Sequence, residues 1–259
     1  MKTFPLVVAI MCFGSFAFSN AESFAELATR KAEAGYKFPA APKTIPYSYV
    51  MTFDNTSHEG DEVTAFKTKY RVNPNAAPGE RLTYLGDDGA VLPAEFLKQM
   101  EYANQNKTLE EFMSDFWCSD AESEALDLSD GAVVREDAET AVISLTNEKV
   151  LEMMDDDGDM PKKIRKRLVG EMTFSKAEFY PTHIRIWLSE PTTVKIVAKM
   201  KEMEFQTSCA KAPNGHFYAA QNKVHVRLKA MGKPILQDMT ISISDLAPVV
   251  LPVEPTSHH

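Results

Sequence analysis

Val194-Lys-Ile-Val-Ala-Lys-Met-Lys-Glu-Met-Glu-Phe-Gln-Thr-Ser-Cys209 alternates apolar and polar residues, then changes phase. Val194, Ile196, Ala198 and Met200 are apolar on even positions, whereas Met203, Phe205, Thr207 and Cys209 fall on odd ones. Strand side chains point to opposite faces in turn, so a one-residue slip would reverse every one of them. A β-bulge near Lys201 and Glu202 restores the face and adds local twist. The stretch therefore predicts a long, bent strand in an antiparallel sheet.

The same period runs outward on both sides. Leu168, Gly170, Met172 and Phe174 alternate, then Ile184, Ile186 and Leu188. Val224, Val226, Leu228 and Ala230 follow, with Lys223, His225, Arg227 and Lys229 on the other face, and Met239, Ile241 and Ile243 close the series. Nearer the N-terminus, Tyr47, Tyr49, Met51 and Phe53 share a face, as do Thr64, Phe66, Thr68, Tyr70 and Val72. The polar run Asp54 to Asp61 reads as the loop between those two strands. Residues 80–86 read as a third strand and 132–145 as two short ones. Trp187, Val197, Val169 and Val50 point away from the main apolar rows, which predicts packing under a helix or a lined concavity.

Helical periods are few. Ser23 with Glu26 forms a capping box, with Gly35 as a stop, and Thr108 with Glu111 repeats it. Phe96, Leu97 and Met100, then Leu109, Phe112, Met113 and Phe116, recur at helical spacing over 93–104 and 108–117. Residues 147–154 read as a short helix or turn. Eight to ten mostly antiparallel strands with a few helices predict an α+β fold. Its form is a curved, half-barrel-like sheet with helices packed on one face. The expected organisation is a signal segment at 1–21, an N-terminal helix and Pro-rich linker at 22–46, one α+β domain at 47–246, and an extended tail at 247–259.

The N-terminal segment sets the compartment. Lys2 precedes an apolar run from Phe4 to Phe18, and Ser19-Asn-Ala21 places small residues at −3 and −1 of a cleavage site. The run is shorter than the roughly 20 residues of a spanning helix, and nothing later approaches that length, so no transmembrane anchor is expected. Ala9-Ile-Met11 before Cys12 is not a lipoprotein cleavage box. The formal charge of −9 falls by one more when Lys2 is removed, a poor balance for nucleic-acid binding. Cys118 and Cys209 then remain. In an oxidising compartment they form one disulfide; the alternative is two separate buried thiols.

Motifs with chemistry are scarce. Asp155-Asp-Asp-Gly-Asp159 suggests calcium, but an EF-hand loop in register with Asp157 would begin at Met153 and end at Ile164, neither an acidic ligand. An acidic turn balanced by Lys162, Lys163, Arg165, Lys166 and Arg167 is the simpler reading. His58, His183, His216, His225, His258 and His259 are scattered, with no metal-ligand spacing, so no metal and no cofactor are expected. Gly-x-Ser-x-Gly and His-Glu-x-x-His are absent. Asn55-Thr-Ser57 and Asn106-Lys-Thr108 match the glycosylation sequon. Two apolar sets suit an adaptable cavity: Tyr49, Met51, Phe53, Phe66 and Tyr70, and Met172, Phe174, Met200 and Phe205. They are the ligand-lining candidates, with ordinary core as the alternative.

Tyr70-Arg-Val-Asn-Pro-Asn-Ala-Ala-Pro-Gly-Glu-Arg-Leu-Thr83 resembles a segment of uncharacterised exported bacterial proteins, in which a strand, a Pro-rich turn and a second strand precede a small helical insert. The strand from Leu168 and the Ser189-Glu-Pro191 turn follow in similar order. Over about Tyr47 to Leu246 the architecture also resembles the half-barrels of periplasmic lipoprotein carriers and related envelope-stress regulators. That resemblance implies a concave sheet with a helical lid and an acyl-chain or lipoprotein ligand, without assigning any residue. The expectation is an exported, periplasmic, non-catalytic protein that binds a lipid or a lipoprotein acyl chain. One rival is an interaction or signalling module for another envelope protein; another is a hydrolase whose Ser, His and acid meet only in space.

Overall fold

The computed structural model describes residues 22–118, 131–154, 160–195 and 198–249. The signal segment, the acidic runs at 120–130 and 155–159, Ile196, Val197 and the last ten residues lie outside the described residues.

Among the described residues, eleven strands form one antiparallel sheet. They are β1 (Tyr47–Glu59), β2 (Glu62–Val72), β3 (Leu82–Asp87), β4 (Gly131–Glu136), β5 (Thr140–Leu145), β6 (Leu168–Ser175), β7 (Tyr180–Leu188), β8 (Thr192–Lys195), β9 (Ala198–Lys211), β10 (Phe217–Ala230) and β11 (Lys233–Pro248). The spatial order is β3-β2-β1-β11-β10-β9-β7-β6-β5-β4, with β8 also paired to β9. The helices are α1 (Phe24–Glu33), α2 (Ala94–Gln105), α3 (Leu109–Phe116), α4 (Asn147–Met154) and α5 (Lys162–Arg165). The fold is therefore α+β, one large open antiparallel sheet with a few helices.

The phase change that opens the sequence has two physical sources. Val194 and Met200 lie on different strands, because the chain reverses after Lys195 and β8 pairs back on β9 (Thr192↔Met200, Lys195↔Ala198). One long strand over 194–209 is thus corrected to a hairpin. The bulge is where the sequence places it: β9 faces β10 as Glu202↔Arg227, then Met200↔Leu228, leaving Lys201 unmatched. A second correction concerns residues 54–61. They are not a loop, since β1 continues to Glu59 and pairs with Glu62 across a two-residue turn. Gly60 takes φ +63° in that turn, as tight hairpins require. Polarity misled here because Asp54 faces outward onto Lys67 (2.9 Å), while the alternation itself never stops.

Cross-strand partners share a face, so the register sorts the side chains. Met51, Phe53, Tyr70, Val224, Phe205, Ile241, Ile186 and Met172 fall on one face. All the helices that contribute to core clusters pack there. Phe24, Leu27 and Ala28 of α1 meet Ala141, Ile143, Phe174 and Phe179. Val150 of α4 and Ile164 of α5 meet Leu168, Ile186, Leu188 and Met203. Phe112 and Phe116 of α3 meet Tyr47, Tyr49 and Val72, and Phe96 and Met100 of α2 pack on Phe53, Phe66 and Tyr70.

Both capping boxes form. Glu26 N–H donates to Ser23 Oγ (3.3 Å), and Ser23 N–H returns to the Glu26 carboxylate (2.9 Å). Thr108 and Glu111 do the same (3.2 and 2.5 Å). Gly170 lets α4 close on β6, since a Cβ there would lie 2.8 Å from Val150 Cγ2. Cys118, just after α3, is bonded to Cys209 near the end of β9, with Cα atoms 6.1 Å apart. The cysteines are a disulfide, not two separate thiols. The bond is reinforced by Cys118 N–H donating to Phe217 O (3.0 Å) and by a bridge between Trp117 and Tyr218.

Candidate functional site

The nine lining candidates share the helix face but separate into four patches. Tyr49 lies in the α3 patch against Phe116, ring centroids 4.9 Å apart. Phe53, Phe66 and Tyr70 surround Phe96 of α2 at 5.1, 4.8 and 6.4 Å. Met51 touches both of these patches. Phe174 and Met172 pack near α1, and Met200 and Phe205 pack at the α4 and α5 patch. Burial, together with the charge of nearby Asp115, pushes the Tyr49 phenol well above the usual range. It therefore stays neutral and packs as an aromatic ring. α2 and α3 rest directly on the first set through Phe96 and Phe116.

Sequence periodicity missed the ground between those patches. At the middle of the sheet Asn55 of β1 faces Met239 of β11, Met239 faces Val224 of β10, and Val224 faces Phe205 of β9. The next row runs Phe53, Ile241, Asn222, Thr207 and Ile184. Val224 and Met239 are half-buried and belong to none of the four clusters. Phe205, Val226, Ile241 and Ile243 flank them, each half-buried and packed toward a neighbouring cluster. This strip is a half-buried apolar floor outside the four helix-packed clusters. The signal that could have found it is the mixed row itself: apolar residues on one face of β10 and β11 with no helical segment in the sequence to cover them.

Two polar features interrupt the floor. Thr207 Oγ1 donates to Asn222 Oδ1 (2.8 Å). Asn55 is only 8% exposed, and its amide atoms are not among the buried polar atoms that lack a partner, which are Trp117 Nε1 and Arg167 Nη1 among the described residues. Its burial between Phe66 and Met239 also removes Asn55 from the sugar acceptors that the sequon suggested.

The opposite face is laced with charge. Arg185 binds Glu204 through two nitrogens (2.8 and 3.0 Å) and stacks over Trp187, 4.6 Å from its ring centroid. Trp187, which points away from the apolar rows, is thus covered by a guanidinium. The hydrogen bond from Arg185 holds the Glu204 carboxyl below the usual carboxylate range. His225 contacts Asp238 (2.6 Å) and Glu202 (3.1 Å), and Arg227 reaches Glu202 (3.3 Å). A groove of about 260 Å³ lies among Glu204, Gln206, Lys223, His225, Asp238 and Thr240, and Val224 and Met239 also line it.

The hydrolase alternative has one relevant contact. His183 Nδ1 lies 3.1 Å from Ser208 Oγ, and burial together with Arg185 and Lys223 lowers the histidine's pKa. The pair lies across a sheet face, and no carboxylate hydrogen-bonds His183 among the described residues. Ser208 and Lys211 have Ser-x-x-Lys spacing, but three residues apart in a strand they project to opposite faces, and Lys211 pairs with Glu178 (2.5 Å). No group of three or more His, Cys, Asp or Glu able to hold a metal occurs among the described residues. None of the described helices is long and apolar enough to cross a membrane.

No family model matches the sequence, and no curated protein does. Among solved structures the chain is similar to a LolA superfamily protein from Nitrosomonas europaea, at 10% identity and TM-score 0.29, over 88% of this chain and 94% of that one. It is similar to a DUF1329 family protein from Desulfovibrio piger at 14% identity and TM-score 0.28, over 86% and 91%. An outer membrane lipoprotein-sorting protein domain from Vibrio parahaemolyticus is 9% identical, TM-score 0.29, over 85% and 90%. The fold itself rests on the strand order and register described above.

Proposed function

We propose that this chain is an exported, non-catalytic protein that holds a hydrophobic ligand, a lipid or a lipoprotein acyl chain, on the helix face of its sheet. The uncovered floor around Val224 and Met239 carries the reading. Soluble proteins rarely leave contiguous apolar surface without a use. Each Å² of such surface removed from water contributes about 25 cal/mol, so an acyl chain laid along β10 and β11 would be held without any charged partner. The N-terminal segment and the Cys118–Cys209 bond both fit an oxidising, periplasmic location.

The test is native mass spectrometry of protein exported to the periplasm, with lipid extraction from the same sample. Bound lipid masses are expected, together with fluorescence enhancement of N-phenyl-1-naphthylamine by the stripped protein. Val224→Arg should abolish that enhancement while leaving the circular dichroism unchanged. A single lipid-free mass with no dye binding would overturn the reading in favour of an envelope-partner module. That second reading rests on the end strand β4, where Val133 and Val134 are 41% and 54% exposed.

A further inference from the structure

We infer that the end of the sheet where β10 turns into β11 docks on an anionic lipid surface, with Met231 entering the bilayer interface and Lys199, Lys201, Lys229 and Lys233 meeting the headgroup phosphates. The inference stands apart from lipid binding on the helix face. Three local rules are broken at this one point, and such breaks gather at functional sites. Ala230 pairs with Lys233 across a two-residue turn in which Met231 takes φ +48° and Gly232 φ +84°. Turns of this kind favour Asn, Asp or Gly at the first position, because a larger side chain crowds the backbone in the left-handed region. The side chain kept there is apolar and 83% exposed. Behind it Lys229 stands directly opposite Lys199 of β9, and like charges facing each other across a ladder are destabilising.

All four lysines are exposed, and they make no ion pair among the described residues. Lys229 pairs with Lys199 and Pro234, whereas Lys233 pairs with Ala230. Cross-strand partners share a face and neighbours along a strand alternate, so Lys229 and Lys233 lie on opposite faces of the hairpin. Lys201 adds the unmatched residue of the β9 bulge. The charge is thus a collar around Met231, not a stripe on one face. The adjacent β1–β2 turn, whose Gly60 N–H donates to Pro234 O (3.0 Å), carries Glu59, Asp61 and Glu62, and these too leave the lysines unpaired. In a chain of formal charge −9, an unpaired cationic collar is complementary to an anion. An acidic polypeptide would take up the lysines. An anionic bilayer takes up the lysines at its headgroups and the apolar tip at the acyl boundary beneath them.

The experiment is flotation of the exported protein with vesicles of phosphatidylcholine alone, or of phosphatidylcholine with about 30% phosphatidylglycerol, in about 0.05 M and about 0.5 M salt. Binding is expected only to the anionic vesicles, and only at the lower salt. A lysine near such a surface contributes about fivefold in affinity. Lys199→Gln combined with Lys229→Gln should therefore weaken binding about 25-fold. Met231→Asn supplies the residue that the turn favours, so its thermal unfolding should come at the same or a higher temperature while vesicle binding falls roughly tenfold. Equal flotation with both vesicle types, binding undiminished at the higher salt, or either variant binding like wild type would overturn the inference. Binding to polyglutamate without binding to vesicles would also overturn it, and would assign the lysines to an acidic protein instead.

Discussion

His225 is held from both sides of its strand. Asp238 lies directly across on β11, Glu204 directly across on β9, and Glu202 and Arg227 complete the cluster, with Lys223 one pair away. The hydrogen bond to Asp238, helped by the one to Glu202, raises the histidine's pKa above its ordinary value, and the same contact lowers that of Glu202. A raised folded-state pKa means the charged pairings stabilise the protein fully below about pH 6.5. That increment is lost as the pH climbs through the folded value. Because His225 is 37% exposed, the increment is small, within the roughly 0–1 kcal/mol of surface ion pairs. An NMR titration should show its imidazole midpoint above that of an unfolded peptide, and Asp238→Asn should bring it down. A midpoint at or below the peptide value would refute this. The outward placement of His225 was readable from the alternation of 223–229. Its carboxylate partners were not, because they arrive from strands whose register the sequence does not state. Asn55 shows the same limit: a polar residue in a polar run reads as loop until its partners Phe66 and Met239 are known.

Elements with local signals were legible almost to the residue. The Ser23 and Thr108 capping boxes mark the starts of α1 and α3, because a cap is made by residues three apart. The bulge at Lys201 was legible for a similar reason, since the phase of alternation records it. The β8–β9 reversal was not, because Val194 and Met200 keep the same parity whether the chain runs straight or turns back. How closely elements pack also lay outside the pattern. α4 reaches β6 only because residue 170 lacks a side chain. In Gly170→Ala the new methyl would meet Val150 at 2.8 Å and Leu145 at 3.2 Å, which should cost about 1–3 kcal/mol in urea unfolding. Val150→Ala opens a cavity and is destabilising alone. The double variant should recover part of the sum, with a coupling of at least about 0.5 kcal/mol. Strict additivity would mean that the close approach is not what matters.

Across the described residues, the disulfide is the one covalent tie, and it joins residues 91 apart. In the chain-entropy account a loop of that size stabilises by roughly 4–5 kcal/mol. Cys118→Ser with Cys209→Ser should therefore lower the urea midpoint strongly. Reductant should do the same to wild type and nothing to the variant. An unchanged midpoint would show that Phe116, Trp117 and the Trp117–Tyr218 bridge hold α3 unaided. The overall class, an antiparallel sheet with helices on one face, was readable from alternation and a few helical segments. The strand order was not, and that order alone brings Asn55, Asn222 and Thr207 onto one floor.

β1 and β11, the first and last of the described strands, are neighbours, third and fourth along the sheet. Until β11 arrives, β1 has only β2 beside it, and the row from Tyr47 to Glu59 presents an open ladder of amide groups. Such a ladder is a template for wrong pairing, and contacts so distant in sequence form slowly. The β1–β3 group thus stays cut off from the β4–β10 block until β11 joins them. The edge of β1 would stay open until the C-terminal part of the chain is made, so that a protein shortened before β11 should aggregate instead of folding as a smaller version of itself.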